Sequence, residues 1–284
     1  MDIQWYPGHM TKTIRMMQEN IRLVDLVIEI TDARAPDAGR NPDIDRLAQG
    51  KARLVILGKA DLADPEISRL WMEKFRKDGY SAILMDARDR KNFRGIEEKI
   101  AGICQEKIQR ERAKGLRERP VRAMVAGIPN VGKSTFINSL TGKAMAKTGN
   151  KPGVTRGKQW IRVGKGVELL DTPGLLWPKF EDPRVGEKLA VLGTINDDIL
   201  SSEELALRLI ELLREPYPEA ITGRYGFEES PKEPLAVLER IGEKRGCLRK
   251  GGSLDCERAA GILLDDFRSG RLGRITLERP EMMP

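Results

Sequence analysis

Histidine is all but missing from this sequence: His9 is the sole one in 284 residues. Cysteine is scarce too, and Cys104, Cys247 and Cys256 are odd in number and show no metal-ligand spacing. With no histidine near any of them, neither a zinc site nor a disulfide framework organises the chain, and a reducing cytoplasm is the expected setting. Aromatic side chains make up 5% of the residues, too few to interleave with basic ones as a platform for stacking unpaired bases. No apolar run approaches the roughly 20 residues needed to cross a bilayer, so no membrane partner is expected. The opening MDIQWYPGHM has neither the basic-then-apolar layout of a secretory signal nor the acid-poor, Ser-rich character of a transit peptide.

Charge, by contrast, is plentiful. Charged residues are 33% of the chain and hydrophobic ones 40%, enough for one large domain with a real core plus a smaller one. The net charge of +7 is uneven: residues 1–177 carry 33 Lys+Arg against 22 Asp+Glu, and residues 178–284 carry 17 against 21. Two basic clusters stand out, with 12 basic and 6 acidic residues over 88–122, and five and one over 240–250. Clustered positive charge is the electrostatic footprint of nucleic acid. Either cluster alone also reads as a solvated helix face.

Ile14, Met17, Ile21 and Val24 recur at helical spacing, and Asp25–Thr31 (DLVIEIT) then reads as a short buried strand. Arg53–Leu57 is the next strand, after a loop rich in Pro and Gly. Asp64-Pro65 starts a helix, since Asp caps its free N–H groups and Pro is tolerated in the first turn. Ile67, Trp71 and Phe75 mark that helix's buried face and Gly79 ends it. Ser81–Met85 is a third strand, and residues 93–114 are expected to form one long charged helix. Val121–Ala126 is a strand feeding a Gly-rich loop, with a helix over Lys133–Leu140. Gln159–Val163 and Val167–Leu170 read as paired strands around a turn at Gly164–Gly166. Alternating strands and helices predict an α/β fold with a mainly parallel sheet and flanking helices. Beyond Pro178 the pattern turns helical: Ser201 and Glu204 form a capping box, with Leu205, Leu209, Leu212 and Leu213 on one stripe, and Ala259, Leu263 and Phe267 mark a further helix. The expected division is therefore 1–177, including an N-terminal extension over 1–22, and a smaller helical domain over 178–284.

Gly127-Ile-Pro-Asn-Val-Gly-Lys-Ser134 matches the phosphate loop G-x-x-x-x-G-K-[ST], between a predicted strand and helix as that motif requires. Its glycines let backbone N–H groups, through Asn130, Val131 and Gly132, approach phosphates at a helix N-terminus. Lys133 is expected to reach the β- and γ-phosphates, Ser134 to ligate Mg²⁺ and Thr135 to lie near the α-phosphate. Asp171-Thr-Pro-Gly174 follows an apolar strand, where an acidic residue holds Mg²⁺ through water and Gly174 offers its N–H to the γ-phosphate. Thr155, in the segment between these motifs, is the expected second hydroxyl on Mg²⁺, with Thr148 as its rival. Gly58-Lys59-Ala60-Asp61 ends a predicted strand and resembles the N-K-x-D motif that reads guanine. A carboxylate there accepts from guanine N1–H and its exocyclic amine, which adenine cannot match. The first position is Gly58, so the usual side-chain amide is missing. Asp86-Ala87-Arg88 stands in the place of the loop that supports the base.

The guanine motif precedes the phosphate loop, the reverse of the ordinary order, and DTPG comes last. In that order the chain resembles the circularly permuted GTPases, which build the same sheet from displaced termini. QWYPGHM, TDARAP at 31–36, GIPNVGKS, DTPGLLWPKF and IGEKRGCL together resemble the ribosome-biogenesis GTPase A family along nearly the whole chain. The resemblance implies a P-loop GTPase fold and a role in late assembly of the large ribosomal subunit, with the precursor particle, its rRNA and its ribosomal proteins as partners. It implies hydrolysis stimulated by that particle.

Leu175 follows Gly174, where many GTPases carry a water-orienting Gln, so catalysis draws on something else. The resemblance offers two candidates: His9 as the catalytic residue, and Asn130 as a ligand of K⁺ against the phosphates. A structural His in a Pro-Gly turn is the plain alternative for His9. The basic clusters, with Arg268, Arg271 and Arg274, are candidate contacts to RNA phosphates. Two other readings stand beside this one, a signalling GTPase with a purely protein effector and a permuted P-loop ATPase, the latter motivated by Gly58. A monomer is expected for the free protein.

Overall fold

Seven consecutive residues with buried side chains, LVIEITD, cannot sit on a half-solvated sheet; they need cover on both faces. In the computed structural model this run is β1 (Leu26–Asp32), a central strand of a six-stranded sheet. The structure describes residues 8–117, 119–143, 159–177, 180–195, 201–228 and 231–280, without the side chains of residues 8–10 and 159. In chain order its elements are α1 (Gly8–Asn20), β1, α2 (Pro42–Leu47), β2 (Ala52–Gly58), α3 (Pro65–Lys77), β3 (Ser81–Met85), α4 (Ile96–Ile103), α5 (Gln105–Ala113), β4 (Val121–Ala126) and α6 (Lys133–Thr141). There follow β5 (Gln159–Val163), β6 (Val167–Asp171), α7 (Pro183–Val191), α8 (Ser202–Arg214), α9 (Glu219–Tyr225), α10 (Pro234–Lys244) and α11 (Cys256–Arg268).

The strand order is β3-β2-β1-β4-β6-β5, parallel except for the β5–β6 hairpin. Strand alternation divides the core: Leu54 and Ile56 of β2 face the main cluster, while Val55 and Leu57 face a second one with Ile67, Trp71 and Phe75 of α3. The α3 start is as expected, Asp64 accepting from the backbone N–H of Glu66 and Ile67. β1 also buries two carboxylates, Glu29, which faces Arg53 at 2.7 Å, and Asp32, which faces Arg34 at 2.8 Å.

The expected single helix over 93–114 is two. Cys104 ends α4 and begins α5 with backbone angles of −94° and 4°. Helical propensity runs on through this point, but α4 turns Ile96, Ile100 and Cys104 into the core whereas α5 buries no residue. Packing of one half without the other decides the break. The loop between β1 and β2 holds the short α2, capped by Asn41. The capping residue Ser201 accepts from Glu204 N–H, and Leu205, Leu209 and Leu213 of α8 are buried.

The helices beyond β6 share the main core with the sheet. After α11 the chain returns across the loops that follow β1 and β2. Ile275 N–H donates to Leu62 O at 3.0 Å and Leu277 N–H to Arg34 O at 2.6 Å. Asp64 N–H donates to Thr276 Oγ1, and Glu278 accepts from the N–H of Asp37 and Ala38 and from Lys188. Trp71 Nε1 closes the contact on Glu278 O at 2.9 Å.

Candidate guanine-nucleotide site

β4 delivers the chain into Gly127–Ser134, and the loop's shape depends on residues that tolerate positive φ. Gly127 has φ of 148°, and a Cβ there would meet Ile30 O at 2.3 Å, so only glycine fits. Asn130 (φ 59°) and Gly132 (φ 98°) also lie in the left-handed region. Lys133 is buried, and its Nζ donates to Gly127 O at 3.1 Å and Ile128 O at 2.7 Å. Burial lowers its pKa to about 8, against the opposing pull of Asp171. An ammonium curled onto its own loop's carbonyls is a cation without a full-strength counter-anion, which phosphate would supply.

Asp171 ends β6. Burial raises its pKa to about 6 although Lys133 opposes the shift. Its Oδ1 is buried with no hydrogen-bond partner among the described residues. A hard cation suits this acceptor, and with the Ser134 hydroxyl at the start of α6 the donors are the oxygen type that Mg²⁺ takes. Gly174 presses against the loop: a Cβ there would meet Pro129 N and Cα at 2.7 Å. Leu175 N–H donates to Gly127 O at 3.2 Å while its side chain is buried in the core. That apolar residue is packing, not water chemistry.

The residues expected to read the base lie at the ends of β2 and β3. Gly58 pairs with Asp32 across the sheet. A Cβ on Gly58 would meet only ordinary contacts of 3.4 Å to Thr31 O and Val131 O, so sterics do not demand glycine here. Lys59 turns the chain (φ 54°), and Ala60 opens the 3₁₀ turn that carries Asp61. Lys59 Nζ lies 3.0 Å from Asp32 Oδ2. Asp86 and Ala87 follow β3, and Ala87 O accepts from Ser139 Oγ of α6 at 2.7 Å.

These separated pieces meet around one cavity of about 450 Å³. Its lining includes Gly58, Lys59, Asp61, Asp86, Ala87, Val131, Gly132 and Thr135, all singled out in the sequence. Lys133, Ser134, Asp171 and Gly174 do not line this cavity, and Lys133 and Asp171 are buried. His9 falls in the first turn of α1, and its side chain is outside the described residues. Thr155 and Thr148 also lie outside them.

A family model for 50S ribosome-binding GTPases matches residues 122–222. Ribosome biogenesis GTPase A of Bacillus cereus is 45% identical over 281 residues, covering 99% of this chain and 95% of that one. The chain belongs to the ribosome biogenesis GTPase A family. Mouse mitochondrial ribosome-associated GTPase 1 is 36% identical over 97% of this chain and 90% of its own length. The crystal structure of GNP-bound YlqF from Thermotoga maritima superposes with a TM-score of 0.67 at 29% identity, covering 96% of this chain and all of that one. As a member of this family the protein is a circularly permuted P-loop GTPase, hydrolysing GTP to GDP and phosphate.

Sequence reasoning missed several participants. Asp32 and Arg34 form a buried ion pair at 2.8 Å. Burial opposes the charge on Asp32, yet Arg34 and Lys59 hold its carboxyl well below the usual range. Arg34 Nη1 reaches the carbonyls of Phe267 (3.4 Å) and Arg268 (3.3 Å), capping the end of α11. Arg268 lines the cavity and donates to Val191 O and Ala190 O at the end of α7. Asn130 Nδ2 donates to Gly193 O, just beyond α7, at 3.0 Å. Arg271 turns to Asp266. Of the three arginines expected on RNA, Arg268 and Arg271 are therefore engaged internally, because Asp266 and the exposed carbonyls of α7 need donors; Arg274 stays exposed. Composition gives no sign of this, and only TDARAP marked part of it.

Proposed function

We propose that this GTPase acts in a late step of large ribosomal subunit assembly, binding the precursor particle and coupling GTP hydrolysis to that step. The carrying observation is the convergence of Gly58, Lys59, Asp61, Asp86, Ala87, Val131, Gly132 and Thr135 on one cavity, in a chain similar from end to end to ribosome biogenesis GTPases. In this reading Asp61 reads guanine, Lys59 covers the base, Lys133 and the N–H groups of the loop hold the phosphates, and Gly174 meets the γ-phosphate. Ser134, Thr155 and Asp171 would hold Mg²⁺, whose positive charge would offset the negative charge developing on the phosphates.

RNA contact is assigned to exposed basic side chains, Arg90, Lys91, Arg94 and Lys99 on one side and Lys244, Arg249 and Lys250 on the other. Arg119 and Arg122 of the first cluster pair with Asp25 and Glu168 instead. The proposed division is a GTPase domain over 1–177 and a helical ribosome-binding domain over 178–284, in a cytoplasmic protein that is monomeric when free. Sedimentation of cell extract with a non-hydrolysable GTP analogue tests the partner. Co-migration with the large subunit or its precursor is expected, lost steeply as salt rises; a protein remaining at the top of the gradient would sink the proposal.

Leu175 supplies no water-orienting group, so His9 and a K⁺ ion held at Asn130 are proposed to serve hydrolysis. Asn130 lies within the phosphate loop, its Nδ2 donates to Gly193 O at 3.0 Å, and its amide oxygen is the kind of donor atom that K⁺ takes. Turnover by wild type and His9→Ala with ribosomal particles, in KCl and in NaCl, decides both. His9→Ala is expected to lower kcat by about 10²-fold or more with GTP affinity kept, and NaCl to slow the wild type. Equal rates would return His9 to a structural role and remove the ion.

A further inference from the structure

Asp61, the carboxylate placed to read guanine, is already occupied by a residue of this chain. Arg88, two positions past Asp86, turns its Nη2 onto Asp61 Oδ2. Its Nε lies 3.2 Å from Asp86 Oδ1, and its backbone N–H donates to the same oxygen at 2.9 Å. The side chain therefore bridges the two loops that frame the base, and it lines the base cavity itself.

The chemistry of this contact is that of the ligand. Guanine offers a carboxylate an N–H at N1 and an amine on the adjoining C2, a guanidine unit built into the ring. Arg88 offers Asp61 the same unit with a full positive charge. Both need the outward edge of one carboxylate, and both need the space in front of it.

We propose that Arg88 is a substrate-mimicking latch, closing on Asp61 when the site is empty and displaced when guanine binds. It thereby helps set guanine-nucleotide affinity through the fraction of molecules that are open. The arginine is 68% exposed and Asp61 24%, so the pair is partly screened and the latch is weak enough to yield. Anchoring at Asp86 keeps the released guanidinium beside the base, ready to return once nucleotide leaves. The proposal rests on Asp61 being the guanine reader.

Stopped-flow binding of N-methylanthraniloyl-GDP to the full-length protein tests it. Closing before binding multiplies the apparent affinity by the open fraction. Arg88→Ala and Arg88→Gln are therefore expected to bind about three- to tenfold tighter. The gain should lie wholly in the association rate, with dissociation unchanged. Salt should speed association to the wild type more than to either variant, because it weakens the latch. In an Asp61→Asn background, Arg88→Ala should give no further gain.

Unchanged association, or weaker binding through faster dissociation, would overturn the latch and make Arg88 either inert or a holder of the bound base. A gain that persists in the Asp61→Asn background would overturn it too. Wild-type affinity for GTP against ATP, measured alongside, separates the two levels. A protein without GTP preference refutes the guanine reading itself, whereas GTP preference with an unresponsive Arg88 refutes only the latch.

Discussion

Arg34→Met is expected to lower the unfolding free energy by about 3–5 kcal/mol, the range for stripping one partner from a buried ion pair. Both side chains of the Asp32–Arg34 pair are 1% exposed, so water cannot replace the lost guanidinium. The change strands the Asp32 carboxylate with Lys59 alone and uncaps the carbonyls of Phe267 and Arg268. Urea unfolding measures it, as a lower midpoint at unchanged slope. Asp32→Asn in the same molecule should recover part of the loss, because it removes the orphaned charge and keeps an acceptor for Arg34's own backbone N–H position. Additive losses would mean that the two residues contribute independently and that the ion pair is incidental. A loss below about 1 kcal/mol would place Arg34 among ordinary surface contacts.

Lys133→Met separates function from stability. Nucleotide binding is expected to fall by at least ~10²-fold, since two charge-assisted contacts to phosphate are worth about 1.5–3 kcal/mol each. The empty protein, however, should become no less stable and is expected to gain. Lys133 is 7% exposed and, among the described residues, its hydrogen bonds go to the backbone carbonyls of Gly127 and Ile128, so its charge is held in the core at a cost that a thioether of similar length avoids. The experiment pairs isothermal titration with GDP against thermal unfolding of the nucleotide-free protein. A lower Tm together with weaker binding would show that the lysine holds the empty loop together, and the functional assignment would lose its support.

What was legible in the sequence was local. Strand β2 announced itself by RLVIL, the start of α3 by Asp64-Pro65, and the phosphate loop by residues whose spacing leaves little freedom. Positive φ at Gly127 and the 2.7 Å approach of a Cβ on Gly174 to Pro129 explain why those glycines are where the motif wants them. The places of Gly58–Asp61 and Asp86–Ala87 were legible for the same reason, each following a strand end. The rest depends on partners far along the chain. Arg34 and Phe267 are separated by 233 positions, and no periodicity or composition joins them. The break at Cys104 was hidden because α4 and α5 differ in what packs against them, not in propensity. Arg88, Arg268 and Arg271 all counted as positive charge, yet each is held by a particular acceptor that only the fold brings near.

The stretch beyond α11 gives the protein an unusual kind of wiring. Ile275 and Thr276 bond to Leu62 and Asp64, just after Asp61, so the chain's last described turns brace the turn that carries Asp61. Amide exchange at the turn would then report on anything that tugs the far end, whether a fused tag, a protease or a ribosomal surface. A truncation there, made to study docking, would register first as altered nucleotide turnover.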